Sequence, residues 1–89
     1  MVTNDEVEEK VMADVATFAR LTVSRVRQDR KKPLTELGLD HNGLVHLVMS
    51  LRAFIKSRRP QSTLLVSEVE KDGFTVDDLN TLVHQRVSP

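Results

Sequence analysis

Three histidines, six serines and a scatter of carboxylates are the side chains in this sequence best suited to chemistry. His41 and His46 are five residues apart, not the four that set two imidazoles on one helix face as metal ligands, and His84 lies far away near the chain end. There is no cysteine, which removes thiol nucleophiles, disulfides and cysteine metal sites together. Ser50, Ser57, Ser62 and Ser67 stand in no GxSxG or comparable activated context. At 89 residues the chain is one domain with a single modest core, too small to surround a deep pocket. The residues therefore predict neither an enzyme nor a metal site, and no cofactor.

The elements that position these groups are helices. Over residues 36–55, ELGLDHNGLVHLVMSLRAFI, the apolar side chains Leu44, Leu47, Val48, Leu51, Phe54 and Ile55 recur on one face of a 3.6-residue period. Asp40 is of the N-cap type and stands just before that stripe. This second helix is expected from His41 or Gly43 to Ser57, with Pro60 closing the segment. A first helix is expected over about residues 4–27, capped by Thr3 or Asn4. Its stripe is Val7, Val11, Val15, Phe18, Leu21 and Val26. Between them, residues 28–42 form a long loop that Pro33 keeps from being helical and that Leu34, Leu37 and Leu39 pin to the core.

After Pro60, residues 61–66 are ambiguous between a buried extended piece and a helix lead-in. A short third helix is expected over residues 67–71, capped by Ser67 and ended by Gly73. The last helix starts at a Thr75 cap with Asp77 and Asp78 in its first turn. Its stripe is Val76, Leu79, Leu82, Val83 and Val87, and Phe74 is placed to staple onto Leu79.

Leu37, Gly38, Asp40, Val45, Leu47, Val48, Met49 and Leu51 match, without a gap, the pattern LGxDSLxxVxLVMxL. On those residues the chain resembles the acyl carrier proteins. The likeness is dense over residues 33–55, returns at residues 74–79 and is topological elsewhere. It implies an all-α four-helix bundle with a long first loop and a short third helix. In that family a serine at the start of the second helix carries a phosphopantetheine arm. Here that position is His41, and Asn42 and Gly43 replace the neighbours used in arm attachment. The resemblance thus implies an acyl-carrier-like interaction module with no arm, set beside fatty-acid or polyketide-type biosynthesis. The alternative on the same likeness is a carrier that attaches its arm at another serine. Val45 and Met49 match positions with which the family grips partner enzymes. The acids that accompany them in the family are replaced by Gly43, His46, Arg52 and Lys56. His41, Asn42, Val45, Met49, Arg52 and Lys56 are therefore the expected protein-contact residues, suited to an acidic surface or a biosynthetic enzyme.

Formal net charge is zero, yet it is unevenly placed. Acids dominate residues 1–14 and 67–78; bases dominate residues 25–32 and 52–59. The cluster of Arg25, Arg27, Arg30, Lys31 and Lys32, together with the bases of residues 52–59, offers the alternative of a nucleic-acid adaptor. Against it, the three phenylalanines that base stacking would need all sit on apolar stripes. No apolar run is long enough to span a membrane, and residues 1–10 lack the pattern of a signal peptide, so the cytoplasm is the expected compartment.

Overall fold

A computed structural model describes residues 4–88. The chain is all-helical: α1 is Asn4–Ala19, α2 Val23–Gln28, α3 His41–Arg58, α4 Val66–Val69 and α5 Val76–Val87. A 3-10 turn at Leu34–Leu37 sits in the long loop. Among the described residues no strand forms; one isolated bridge pairs Pro33 with Thr75, and Leu34 N–H donates to the Phe74 carbonyl at 2.9 Å.

The expected single first helix is two helices. Arg20 has φ +59°, a left-handed backbone, and Leu21 N–H reaches back to the Ala16 carbonyl at 2.9 Å. That is the Schellman way of ending a helix, with arginine where glycine is usual. Thr22 then caps α2, its hydroxyl accepting from Arg25 N–H at 3.1 Å. The turn redirects the chain so that Val26 is fully buried beside the α1 stripe. The cap expected at Thr3 or Asn4 falls outside the described atoms.

The element expected as the second helix is α3, within one residue of its expected bounds. Asp40 caps it, accepting from Gly43 N–H at 2.8 Å. Leu44, Leu47, Val48, Leu51 and Ile55 are buried on its core face. Leu34, Leu37 and Leu39 are buried too, so the loop is pinned as its apolar residues require. Gly38 takes the left-handed conformation (φ +96°) that turns the chain out of the 3-10 turn.

The short helix α4 starts and stops earlier than expected. Its N-cap is Leu65 rather than Ser67, and it closes at Glu70, short of Gly73. Leucine cannot cap with its side chain; instead Glu68 Oε1 accepts from Leu65 N–H at 3.1 Å, half of a capping box. The start of α5 is as expected: Thr75 Oγ1 accepts from Asp78 N–H and Asp78 Oδ2 from Thr75 N–H, each at 3.1 Å. Phe74 lies against the core at the staple position.

Helices α1, α3 and α5 enclose the core, with α2 against α1 and α4 against α3. Polar ties join them at the periphery. Asp14, buried on α1, accepts from the Ser50 hydroxyl at 2.7 Å and pairs with Lys10 at 3.2 Å. Arg30 bridges Glu8 of α1 and Asp77 of α5.

Candidate interaction face on α3

Segment 64–70 runs along α3 in the opposite direction, fastened at both ends. Arg52 Nε donates to the Leu64 carbonyl at 2.9 Å, and His41 Nδ1 meets Glu70 Oε2 at 2.6 Å. The two contacts are separated by about 17 Å of α3. A third tie comes from α5: Arg86 bonds both carboxylate oxygens of Glu68 and the Thr63 carbonyl. The Arg86 guanidinium holds the Glu68 carboxyl below its ordinary range, against an opposing push from burial.

The six expected contact residues fall on this part of the molecule. His41 is the first residue of α3, exposed, its ring engaged by Glu70. Asn42 is exposed beside it. Val45 is half-buried, while Met49 is 57% exposed, a large apolar side chain offered to solvent on a helix whose other face is sealed. Arg52 is half-buried by its bond to Leu64, so its charge is anchored rather than free. Lys56 is exposed and has no partner among the described residues. At 100° per residue, His41, Val45, Met49, Arg52 and Lys56 share one stripe beside the α3–α4 seam. Helix α3 contains no carboxylate at all.

Leu65 was not anticipated. It is 50% exposed and follows the residue that Arg52 holds, so it borders the same stripe. Nothing in the ambiguous run 61–66 distinguished the outward leucine from the buried Leu64. Glu70 also escaped notice, because no local spacing couples residues 41 and 70. Near this end, Leu34, Leu44, Val69 and Phe74 line a shallow cavity of about 80 Å³, with Glu70 and Asp72 at its edge.

The other candidate chemistries are dispersed. His46 points away from the stripe and stacks on Phe18, ring centroids 6.2 Å apart. His84 is half-buried on α5, its Nδ1 closed off from solvent without a hydrogen-bond partner among the described residues. Among the described residues no three histidines or carboxylates gather as metal ligands. Ser50 is engaged by Asp14, with Lys10 Nζ at 3.4 Å, and the Ser57 hydroxyl donates to the Phe54 carbonyl at 2.6 Å. Of the basic cluster, Arg25 and Lys32 pair with Asp29 and Arg30 with Glu8 and Asp77, leaving Arg27 and Lys31 without an ion pair among the described residues. Arg25 first, then the charge of Lys32, keeps the Asp29 carboxyl below its ordinary value. Among the described residues no helix is long and apolar enough to cross a membrane.

Compared with protein-family models, with curated proteins and with solved structures, the chain finds no match.

Proposed function

We propose that this chain is an acyl-carrier-like protein-interaction module that bears no phosphopantetheine and binds a partner protein through α3. The observation that carries the reading is the pairing of a closed position with an open one on the same stripe. At the closed position, His41 follows the Asp40 cap where the resemblance puts the arm-bearing serine, and its ring is tied to Glu70. At the open position, Met49 is solvent-exposed on a helix with no acid, where the resemblance puts a partner-gripping methionine. Imidazole is not the acceptor to which a pantetheine arm is transferred. Ser50 and Ser57, the serines on α3, are held in hydrogen bonds within the fold. The natural setting of such a module is beside fatty-acid or polyketide-type biosynthetic enzymes, in the cytoplasm, and the exposed Lys56 suits a partner surface bearing carboxylates.

The test has two arms. In the first, Met49→Glu is compared with wild type for co-purification of a partner, with helicity followed by circular dichroism. Lost capture with unchanged helicity is the expected result; retained capture removes the α3 face from the proposal. In the second, the chain is co-expressed with a broad-specificity phosphopantetheinyl transferase and its intact mass measured. No added arm is expected, and an added arm would make the chain a carrier.

A further inference from the structure

The α3 stripe is electrically polar along its length. At the C-terminal end stand Arg52 and Lys56, on a helix that carries no carboxylate of its own, and Glu6 of α1 is bonded to Arg58. At the N-terminal end the carboxylates of Asp40, Glu70 and Asp72 outnumber Lys71, with His41 bonded to Glu70. Between the two ends lie Val45, Met49 and, alongside, Leu65. A surface positive at one end and negative at the other complements itself when turned through 180°.

The spacing fits that operation. From His41 to Lys56 α3 rises about 22 Å. The midpoint falls beside Met49, so a two-fold axis there sets Met49 against its own copy and Lys56 of each chain near Glu70 of the other. The two α3 helices then run antiparallel, which also opposes their dipoles favourably. Isologous pairing of this kind is the commonest way soluble chains self-associate. Methionine suits the centre, because its unbranched thioether repacks against a copy of itself with little strain.

We propose that the α3 stripe is covered by the α3 stripe of a second copy, in an antiparallel two-fold dimer centred on Met49. This rests on the reading of α3 as the interaction face and adds its regulation: the partner and the second copy compete for one strip. One helix width by about 22 Å is well below the roughly 800 Å² per partner of a standard interface, so the dimer is weak and concentration-dependent. A weak dimer is what a displaceable cover requires.

Sedimentation velocity of the full chain between about 10 μM and 1 mM tests it. A monomer–dimer equilibrium is expected, about tenfold weaker in Lys56→Glu, which sets like charges together at both ends. Glu70→Lys is weakened similarly, with Glu70→Gln showing how much comes from losing the His41 pair alone. The double variant Lys56→Glu/Glu70→Lys regains wild-type association, and Met49→Glu abolishes it. A chain that stays monomeric at the highest concentration overturns the proposal, as does a double variant no better than its singles. Failure here is separable from failure of the functional reading. A monomer that still loses its partner on Met49→Glu sinks only the dimer. A dimer whose partner binding survives Met49→Glu sinks only the partner face.

Discussion

His41 Nδ1 and Glu70 Oε2 stand 2.6 Å apart across the seam between α3 and α4, twenty-nine residues distant in sequence. This contact fastens a four-residue helix that has no standing of its own, since one turn of helix is unstable without tertiary support. Both side chains are substantially exposed, so the pair contributes little to global stability. Its effect is local. Glu70→Gln is expected to speed amide hydrogen exchange in residues 66–70 several-fold while moving the global unfolding free energy by less than about 1 kcal/mol. Exchange unchanged in that segment would show that the Arg52 and Arg86 ties hold α4 without His41.

The two faces of α3 predict opposite sensitivities. Leu51 is fully buried among α1, α3 and α5, and Leu51→Ala should cost about 2–5 kcal/mol in urea unfolding. Met49, two residues away, should tolerate Met49→Glu within about 0.5 kcal/mol. A large loss at Met49 would mean that it packs in the fold rather than facing outward.

That contrast was legible in the sequence. The i, i+3, i+4 spacing of Leu44, Leu47, Val48 and Leu51 placed the core face, and Asp40 marked where the helix begins. Thr75 with Asp78 marked α5 in the same way. The break at Arg20 was not legible: no glycine or proline marks it, and the apolar stripe runs on through Leu21 to Val26. The left-handed residue there is carried by an arginine, and its reason lies in burying Val26 from a new direction. The bounds of α4 were hidden for a related cause. It is held by Arg52, Arg86 and His41, all distant in sequence, while its own Leu65 cap is a residue with no capping chemistry. Likewise, the spacing placed Met49 on a stripe offset from the core, but separating engaged from free cations, such as Arg30 from Lys31, required the long-range pairs.

Arg20 offers a stabilising substitution. Its side chain is exposed and its backbone is left-handed, a conformation glycine adopts without the steric strain of a β-carbon. Arg20→Gly is expected to raise unfolding free energy by about 0.5–1 kcal/mol and the melting temperature with it. A fall would indicate that the arginine side chain contributes contacts that outweigh its backbone strain.

Thr75 tests the reciprocal cap of α5. Thr75→Ala removes the acceptor of the Asp78 N–H and should cost about 1 kcal/mol, measured by thermal or urea unfolding. Thr75→Ser keeps the hydroxyl and should recover most of that. Equal losses in the two variants would assign the effect to the threonine methyl group rather than to the cap.

The Glu68–Arg86 pair gives a pH dependence of definite sign. The hydrogen bonds from Arg86 set the Glu68 carboxyl below its ordinary value, with smaller help from Leu65 N–H. A carboxyl depressed in the folded state adds stability that is complete above its ordinary value, about 4.3, and is lost as pH falls through the lower folded value. The side chains are 23% and 32% exposed, so solvent screening holds the contribution to about 1 kcal/mol. Glu68→Gln should therefore be less stable than wild type by about that amount at neutral pH. The two stability curves should converge as pH falls from about 5 toward about 3, because wild type alone loses this pair on protonation. Asp29 titrates in the same direction in both proteins and so leaves their difference untouched. Curves that stay parallel through the acid range would show that Arg86 holds α4 through the Thr63 carbonyl and not through the charge of Glu68.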